Sequence, residues 1–358
     1  MTSTSEKTAI RATPRTPPSL YRASEREAWS LFERASVVRV ASASPSPVLR
    51  TLHPVVLDGA IFFHGGPVGE KNAMLGQQVV IGVDEHVATL PSYFFDAQRA
   101  CPATTYYRSA MAWGRAELVE TGRDRVLEAL MRRHQPEGGY VPIAADHPLY
   151  ETALRKLAVV RVPIERIEGR FKLGQNKPAD VMERVLVGLW QRGAAGDLAA
   201  IEAIRAAHPE PLPFFDRADV RFEVSPHDVD GAVALVRDEY WNVGIDDALL
   251  ADSHRQSAAW ILGRDARGAC CTARAIADAK NAWIYDVAVR RDRRGEGLGR
   301  ALMQILLDHP RLRRANRVFL GTRDAQSFYA TLGFVEHVGP HTTMIRQRVS
   351  VSKKSSAS

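Results

Sequence analysis

The amino-acid sequence predicts a two-domain α+β protein, in which a mostly β first domain shaped as a small barrel precedes a mixed α/β second domain. Several β-rich stretches fall within residues 20–207. Over residues 219–346 the patterns predict the order strand, helix, helix, strand, strand, strand, helix, strand, helix, strand. The segment between them, 208–218, has three prolines in its first six positions, which cannot continue a helix and indicate a stiff linker. Residues 1–19 and 347–358 are expected to be disordered tails because they are rich in small and polar residues.

Length and composition fit this arrangement. The chain has 358 residues, of which 45% are hydrophobic and 25% charged, a balance typical of globular proteins. No apolar run approaches the roughly 20 residues of a membrane helix, and residues 1–20 lack the apolar core of a signal peptide. We therefore expect a cytoplasmic protein without a membrane partner. The three cysteines, Cys101, Cys270 and Cys271, have neither a disulfide framework nor a metal-binding spacing, so we expect buried thiols and no metal site.

The charge pattern bears on possible partners. The net charge is +7, and arginines gather within residues 290–300 and 311–317. A positive balance of this size suits anionic cofactors as well as nucleic acid. No helix-turn-helix, zinc-finger or RNA-binding pattern accompanies it, so a nucleic-acid partner is not expected.

Local patterns predict the elements of the first domain. Ser24 followed by Glu27 is a capping box, which predicts a helix that continues through Arg34. Helical periodicity predicts further helices at 179–191 and 198–207. Runs rich in β-branched and aromatic residues predict strands at 37–41, 48–57, 60–64, 79–83, 106–119, 157–163 and 167–173.

Residues 50–72 form a strand, a tight turn, a second strand, a glycine turn and a helix that bears a lysine. This arrangement places basic side chains and a helix N-terminus at one end of the barrel, where a phosphate could be held. Residues 63–71, of the form F-H-G-x-P-x-G-x-K, resemble the nitroimidazole-resistance branch of the pyridoxamine-phosphate-oxidase-like flavoproteins, whose fold is an FMN-binding split β-barrel. Residues 106–110 resemble that family's flavin-lining strand, and 167–176 its closing segment, with Arg170 in place of the usual Lys.

This resemblance implies bound FMN and a homodimer with the flavin at its interface. Arg50 and Lys71 are then candidates for the FMN phosphate, with solvated surface charges as the alternative. Candidates for contacts to the flavin ring and the ribityl chain are Thr51, Leu52, Phe63, His64 and Ser109. The two apolar members of this set could instead be ordinary barrel core. His53 and His64 could alternatively ligate haem, because some split-barrel relatives bind haem.

A glycine-rich turn at 294–299 is the most informative motif of the second domain. It carries three glycines between strand-like residues 283–289 and helix-like residues 300–308, so the backbone can approach an anion that the helix N-terminus attracts. The glycine register differs from that of the dinucleotide fingerprint. After a predicted strand at 316–320, residues 325–334 carry the pattern A-x-x-x-Y-x-x-x-G-F. The two motifs resemble the acetyl-CoA loop and the late helix of the GNAT acetyltransferases.

The GNAT resemblance implies a mixed α/β fold and N-acetyl transfer from acetyl-CoA. Its splayed strand supplies backbone groups to the pantetheine and the carbonyl, which here would be Val287, Ala288 and Val289. The diphosphate would bind the turn formed by Arg294, Gly295, Gly297, Leu298 and Gly299. Tyr329 holds the family's general-acid position, with packing of the last helix as the alternative. The Asn that the family often has on that helix is not apparent.

Two further predictions concern the acceptor. Asp286, directly before the splayed strand, could accept the amine proton, with an orienting role as the alternative. Tyr240 and Trp241 begin a Y-W-x-x-G-I stretch that resembles one small-molecule branch of the GNAT family, so they are expected to border the acceptor pocket. An aromatic wall of this kind suits an organic amine.

These inferences predict a bifunctional protein, with an FMN-binding, oxidoreductase-like barrel and an N-acetyltransferase for a small-molecule amine. A sequence of reactions is one hypothesis, in which the barrel reduces a nitro compound towards an amine that the second domain acetylates. Two alternatives stay open at this point. The barrel could sense flavin or redox state, or regulate transcription, beside an accessory acetyltransferase, or it could be a haem-binding, oxygenase-like domain fused to the transferase.

Overall fold

The computed structural model describes residues 18–43, 46–208, 210, 214–217 and 219–336. The predicted tails therefore lie outside the described residues, apart from positions 18 and 19, which begin a 3₁₀ turn over Pro18–Tyr21. No helix in the described part of the chain is long and apolar enough to cross a membrane. The same residues contain no group of three or more His, Cys, Asp or Glu side chains placed to hold a metal ion.

The first domain consists of two sheets that enclose a hydrophobic core. A six-stranded sheet has the order β1-β10-β7-β6-β2-β3, and a four-stranded sheet has the order β4-β5-β9-β8. The strands are β1 (Arg22–Ala23), β2 (Val38–Ser42), β3 (Val48–Leu52), β4 (Val55–Leu57), β5 (Ala60–Gly65), β6 (Gln78–Leu90), β7 (Thr104–Arg115), β8 (Glu117–Leu118), β9 (Ala158–Pro163) and β10 (Arg166–Lys172). The helices are α1 (Glu25–Arg34), α2 (Arg123–His134) and α3 (Pro148–Lys156). Two sheets around one core confirm the predicted split-barrel architecture, although the strands do not close into a continuous ring.

Local sequence signals explain both the agreement and the differences in this domain. The Ser24 side chain accepts the Glu27 backbone N–H at 3.3 Å, and the Glu27 carboxylate accepts the Ser24 N–H at 2.7 Å, which confirms the capping box. The strand predicted over 48–57 is interrupted after Leu52, because Pro54 has no N–H to donate to a ladder. The expectation of three buried thiols was wrong for Cys101, which is exposed in a turn.

The second domain is built on a six-stranded sheet in chain order, antiparallel except for its last pair. Its strands are β11 (Asp216–Arg217), β12 (Val220–Glu223), β13 (Ala259–Asp265), β14 (Gly268–Ala277), β15 (Asn281–Val289) and β16 (Arg317–Leu320). Its helices are α6 (Val229–Val236), α7 (Asp247–Arg255), α8 (Leu298–Leu307) and α9 (Gln326–Ala330). From β12 to α9 the order agrees with the predicted mixed α/β fold, and the last predicted strand falls outside the described residues.

Two helices, α4 (Ala179–Arg192) and α5 (Asp197–Ala207), join the domains through a shared core that we call the seam. Trp190 of α4 donates its indole N–H to Asp308, directly after α8, at 2.6 Å. Arg205 of α5 is fully buried and donates to the Phe222 carbonyl of β12 at 2.7 Å. On the barrel side, Leu90, Phe94, Tyr106 and Leu173 belong to the same core.

The predicted linker over 208–218 is described only in part. Within it, Phe215 is buried against Trp190, with ring centroids 5.6 Å apart, and Asp216 accepts a hydrogen bond from Arg205 at 2.6 Å. Asp216–Arg217 also pair with β12. These described residues therefore belong to the packed second domain, while the domain bounds themselves stay a prediction.

Candidate functional sites

A splayed strand forms the centre of the candidate transferase site. β15 and β16 pair in parallel only from Asn281–Arg317 to Ile284–Leu320, so Val287, Ala288 and Val289 extend past the end of β16. On its other edge, β15 shifts register against β14 between the pairs Thr272–Ala288 and Arg274–Tyr285. Asp286 lies at this irregularity with φ of 52°, a conformation that a non-glycine residue rarely adopts. The bulge and the end of β16 together open the sheet at the three residues predicted to contact pantetheine.

The glycine-rich turn follows β15 and ends in α8. Gly295 and Gly297 have φ of 88° and 80°, and a Cβ at either position would meet no atom within 4 Å. The helix has no side-chain cap at Gly297, and its first backbone bond runs from the Ala301 N–H to the Gly297 carbonyl. The N–H groups of Leu298, Gly299 and Arg300 therefore lack helical partners. Open space above two glycines and an uncapped ten-residue helix fit a diphosphate.

Several arginines beside this turn have structural roles. Arg290 and Arg293 both pair with Asp265 at 2.6 Å, and the Arg290 guanidinium, more than any other group, holds the pKa of Asp265 well below its usual range. Arg294 donates to the Val289 carbonyl and to Glu239, both at 3.0 Å. These bonds fix the turn against β13 and β15. The candidate diphosphate contacts consequently come from the backbone of the turn.

Contacts at Gly299 bring three predicted parts of the site together. A Cβ at Gly299 would lie 3.6 Å from the Phe328 ring and 3.7 Å from the Val289 side chain. Phe328 and Tyr329 are neighbours in α9, with ring centroids 5.0 Å apart. The start of α8, the end of β15 and α9 therefore meet at one point.

Tyr329 is half-buried, and no described residue hydrogen-bonds its hydroxyl. Burial, with a smaller contribution from nearby Tyr240, raises the pKa of Tyr329 to about 12. The phenol is thus protonated at neutral pH and cannot accept a proton from an amine.

Asp286 is anchored on both carboxylate oxygens. One oxygen accepts the Trp241 indole N–H at 2.9 Å and the Asn242 amide at 3.0 Å, and the other pairs with Arg274 at 2.5 Å. Burial alone would raise its pKa, but the charge of Arg274 and these hydrogen bonds together lower it. With its side chain only 1% exposed, Asp286 is an ionised, fully engaged carboxylate. This geometry favours the orienting role over proton acceptance.

The predicted acceptor residues Tyr240 and Trp241 are 38% and 40% exposed. The Tyr240 hydroxyl accepts the Arg323 backbone N–H at 3.1 Å, so this loop contacts the segment before α9 as well as Asp286. Sequence reasoning missed Arg274 and Asn242. No local pattern marks either residue, because each reaches Asp286 through the fold of the sheet rather than through spacing along the chain.

In the barrel, the structure brings together only some of the predicted flavin residues. Arg50, Thr51 and Leu52 lie on β3, which is an edge strand. Leu52 and Phe63 line a small apolar cavity with Met74, at the end of the 3₁₀ turn Glu70–Met74, which supports the core alternative for the two side chains. The cavity joins β3 to the turn that bears position 71. The side chain of Lys71 lies outside what the structure describes.

Ser109 and the histidines are placed elsewhere. Ser109 is in the middle of β7, and two strands, β6 and β2, separate it from β3. Since neighbouring strands are about 4.8 Å apart, Ser109 lies roughly 14 Å from β3 in one chain. His64 is half-buried on β5, whereas His53 is exposed and its Nδ1 contacts the Ser36 carbonyl at 3.0 Å. The haem alternative stays a prediction.

Comparisons with known proteins agree with the two geometries. Residues 24–171 match the family model of pyridoxamine 5'-phosphate oxidase, and residues 232–334 match that of the acetyltransferase (GNAT) family. Comparison with curated proteins gives no match.

Three solved structures show the range of similarity. A "putative 5-nitroimidazole antibiotic resistance protein" from Bacteroides thetaiotaomicron is 20% identical, with 41% of this chain and 82% of that one covered and a TM-score of 0.33. A "putative acetyltransferase belonging to the GNAT family" from Xanthomonas campestris is 26% identical, with coverage of 39% and 100% and a TM-score of 0.35. An FAD and haem binding protein from Mycobacterium smegmatis is 14% identical, with coverage of 47% and 80% and a TM-score of 0.36.

The two family matches lie one after the other, and each covers the part of the chain where the fold and the site residues predicted it. The chain therefore joins a pyridoxamine 5'-phosphate oxidase-like domain, over residues 24–171, to an acetyltransferase domain of the GNAT family, over residues 232–334.

Proposed function

We propose that the second domain transfers an acetyl group from acetyl-CoA to the nitrogen of a small-molecule amine. The observation that carries this proposal is the meeting point at Gly299. There the glycine-rich turn of residues 294–299, which we now call the diphosphate turn, lies beside the splayed strand and the α9 segment that bears Tyr329. A strand that opens beside a free helix N-terminus can hold an extended ligand with an anionic end.

Each residue of this site then has a defined task. Acetyl-CoA supplies the thioester. The backbone N–H groups of residues 298–300 bind its diphosphate, and backbone groups of Val287–Val289 orient the acyl arm. Tyr329 holds a proton on its hydroxyl for the departing thiolate. Asp286 fixes Trp241 and Arg274 beside the acceptor.

A glycine substitution tests the diphosphate turn. Gly297→Ala and Gly297→Glu impose the same φ of 80° on an L residue, at a cost of about 1–2 kcal/mol, but only Glu adds a negative charge. We expect Gly297→Glu to weaken acetyl-CoA binding by at least about 100-fold by calorimetry, through charge repulsion within the turn. The Ala variant should lose far less, because its Cβ meets open space. Unchanged affinity in the Glu variant would refute the assignment.

For the barrel we propose FMN binding at the interface of a homodimer in the cytoplasm. Two strands of the sheet separate Ser109 from Arg50, so one chain does not bring these two candidates together. A second copy could supply Ser109 to a flavin whose phosphate lies near Arg50 of the first. FMN would supply two-electron redox chemistry, while β3 and β7 would only bind and orient it.

The absorbance spectrum of the freshly purified full chain tests this proposal. A flavin spectrum, together with a sedimentation coefficient for a dimer, is expected. A Soret band would favour haem instead, and a spectrum without a chromophore after incubation with FMN would refute the flavin assignment. The spectrum does not depend on the transferase site, so the two halves of the proposal fail separately.

A further inference from the structure

Five aromatic side chains lie in two groups on either side of Asp286, beside the splayed strand, and we call the two groups together the aromatic strip. Its members are Tyr240, Trp241, Trp283, Tyr285 and Phe319. The four that belong to the loop and to β15 are each about two-fifths exposed, at 38%, 40%, 41% and 39%. Large aromatic rings are usually well buried, so two pairs of half-exposed rings beside the same carboxylate, Asp286, indicate a binding surface.

The three rings of the strip that belong to the sheet, those of Trp283, Tyr285 and Phe319, are nearly parallel to one another. Trp283 stacks on Phe319 of β16 with centroids 5.0 Å apart and an interplanar angle of 21°. Tyr285 continues the row at 6.5 Å from Trp283 and 22°. Along β15, Ala282 and Ile284 alternate with Trp283 and Tyr285, and both are buried in the core. The row of rings therefore stands on the opposite face of the sheet. Parallel rings of this kind offer flat faces and edges to another planar ring.

The aromatic strip is continuous with the transfer site. Tyr285 directly precedes Asp286, and the Arg274 guanidinium that pairs with Asp286 lies 5.0 Å from the centre of the Tyr285 ring. On the other side, Trp241 bonds Asp286 and packs edge-to-face on Tyr240 at 4.9 Å. A molecule lying on the strip therefore ends at the bulge where β15 opens.

The protonation states of Asp286 and Tyr329 indicate which class of amine the site can acetylate. Asp286 is engaged on both oxygens, and Tyr329 is a proton donor, so neither side chain is suited to remove a proton from an ammonium group. Alkylamines are protonated at neutral pH. An arylamine is not, because its nitrogen lone pair is delocalised into the ring, and it can attack a thioester without a base.

We propose that the acceptor is an arylamine, which stacks its ring on the aromatic strip and presents its neutral nitrogen at the Asp286 bulge. This inference rests on the proposed acetyl transfer and names its substrate class. The nitrogen forms a bond to the acetyl carbon and the carbon–sulfur bond breaks. The nitrogen then loses one proton to water, the CoA thiolate takes one proton from Tyr329, and the Tyr329 phenolate regains a proton from water, so the products are an N-aryl acetamide and CoA.

Three acceptors separate ring recognition from basicity. Full-length protein is assayed by CoA release with 4-methylaniline, benzylamine and cyclohexylmethylamine. We expect kcat/KM to fall in that order, since benzylamine keeps the aromatic ring but is protonated, and cyclohexylmethylamine is protonated and has no aromatic ring. Acetylation of cyclohexylmethylamine as efficiently as 4-methylaniline would overturn this inference but leave the proposed transferase intact. No transfer to any amine, despite acetyl-CoA binding, would overturn both.

A variant tests the surface itself. Trp283→Leu should raise KM for 4-methylaniline about tenfold and leave acetyl-CoA affinity unchanged, because stacking is lost but the diphosphate turn is not. Tyr93→Leu, which removes an aromatic ring that is 65% exposed in the first domain, is the matched control. Thermal unfolding verifies that both variants fold.

Cyclohexylmethylamine, which has no aromatic ring, is the control acceptor for this variant. With cyclohexylmethylamine, Trp283→Leu should change KM less than twofold. An aryl-to-cyclohexyl preference equal to that of the wild type would overturn the proposal. If Trp283→Leu keeps that preference and lowers the sedimentation coefficient, the strip is instead an interface between copies of the chain.

Discussion

Tyr329 and Asp286 lie at one end of the same sheet, yet their surroundings hold their protons in opposite ways. Burial raises the pKa of the phenol to about 12, while Arg274 and two neutral donors lower that of the carboxyl. At neutral pH Tyr329 is therefore protonated, whereas Asp286 is ionised and held in place by its three partners. Each state leads to a different expectation for substitution.

Removing the Tyr329 hydroxyl should affect turnover and not binding. For Tyr329→Phe we expect kcat to fall by about 10²–10⁴, because water must protonate the thiolate, while the Kd for acetyl-CoA stays within about twofold. Steady-state kinetics and calorimetry measure the two quantities. Tyr240→Phe, which also removes a single hydroxyl, is the control and should lose much less. A Tyr329→Phe variant with near-normal kcat would assign the proton to another donor.

Neutralising Asp286 should affect stability more than chemistry. Asp286→Asn leaves the largely buried Arg274 without its partner, at an expected cost of about 3 kcal/mol in the free energy of unfolding. The pH profile of kcat/KM should keep its shape, since an anchored carboxylate takes no proton. Asp324→Asn, at an exposed site, is the stability control. Loss of the acidic limb of the profile in Asp286→Asn would restore the role of general base.

Site residues could be predicted from the sequence where they belong to a short motif, and they were missed where only the fold brings them together. The glycine turn and Tyr329 follow from spacing within short stretches, and the structure brings their segments together at Gly299. Arg274 and Asn242 could not be found in this way, because their role exists only once β14 and the 240–242 loop meet Asp286. The roles of the predicted site residues stay predictions.

Elements with strong local signals were predicted, and elements without them were missed. Helix α1 has a capping box and was found almost to the residue. Helix α2 follows Gly122 without any side-chain cap, and α3 is capped by the unusual His147, so neither start has a Ser, Thr, Asp or Asn cap. Pro148 in the first turn of α3 is a start signal that the prediction did not use. Helix α4 was predicted as a helix, but periodicity alone does not reveal that its buried residues contact two domains.

His309, a titratable residue just after α8, packs against the seam. His309 is fully buried, packs edge-to-face on Trp190 at 5.4 Å, and accepts the Arg311 backbone N–H on Nδ1 at 3.2 Å. Burial, assisted by the charges of Arg311 and Arg313, lowers its pKa from 6.5 to about 4. The folded protein therefore resists protonation that the unfolded chain accepts.

This arrangement predicts a loss of stability in mild acid. Because the folded pKa is lowered, His309 contributes stability above about pH 6.5, and this contribution is lost as pH falls from 6.5 towards 4, by about 3 kcal/mol in total. Urea unfolding across this range measures it. In His309→Gln, whose side-chain oxygen can still accept the Arg311 N–H, that part of the pH dependence should vanish. The same slope in wild type and variant would contradict the assignment to His309.

At the scale of the whole molecule, the seam predicts that the two domains unfold together. The helices α4 and α5 belong to one core with strands of both domains, so neither domain can lose its packing alone. Calorimetry of the full chain should show one transition, with equal calorimetric and van't Hoff enthalpies. Two resolved transitions would contradict a common core.

Substitution at the seam sharpens this expectation. Trp190→Ala removes a buried ring and its hydrogen bond to Asp308, and should cost about 3–5 kcal/mol while keeping a single transition. Leu149→Ala, at an exposed position of α3, should cost almost nothing. If Trp190→Ala destabilises only one part of the chain, the domains are energetically independent.

A shared core also makes each domain's ligand a stabiliser of the other. Where two domains melt as one, any molecule that binds only the folded chain raises the free energy of unfolding of both. At 100 times its Kd, acetyl-CoA in the second domain would add about 2.7 kcal/mol to the barrel as well. Supply of acetyl-CoA would then set how long the barrel withstands heat or proteolysis, whether or not the two sites share a substrate.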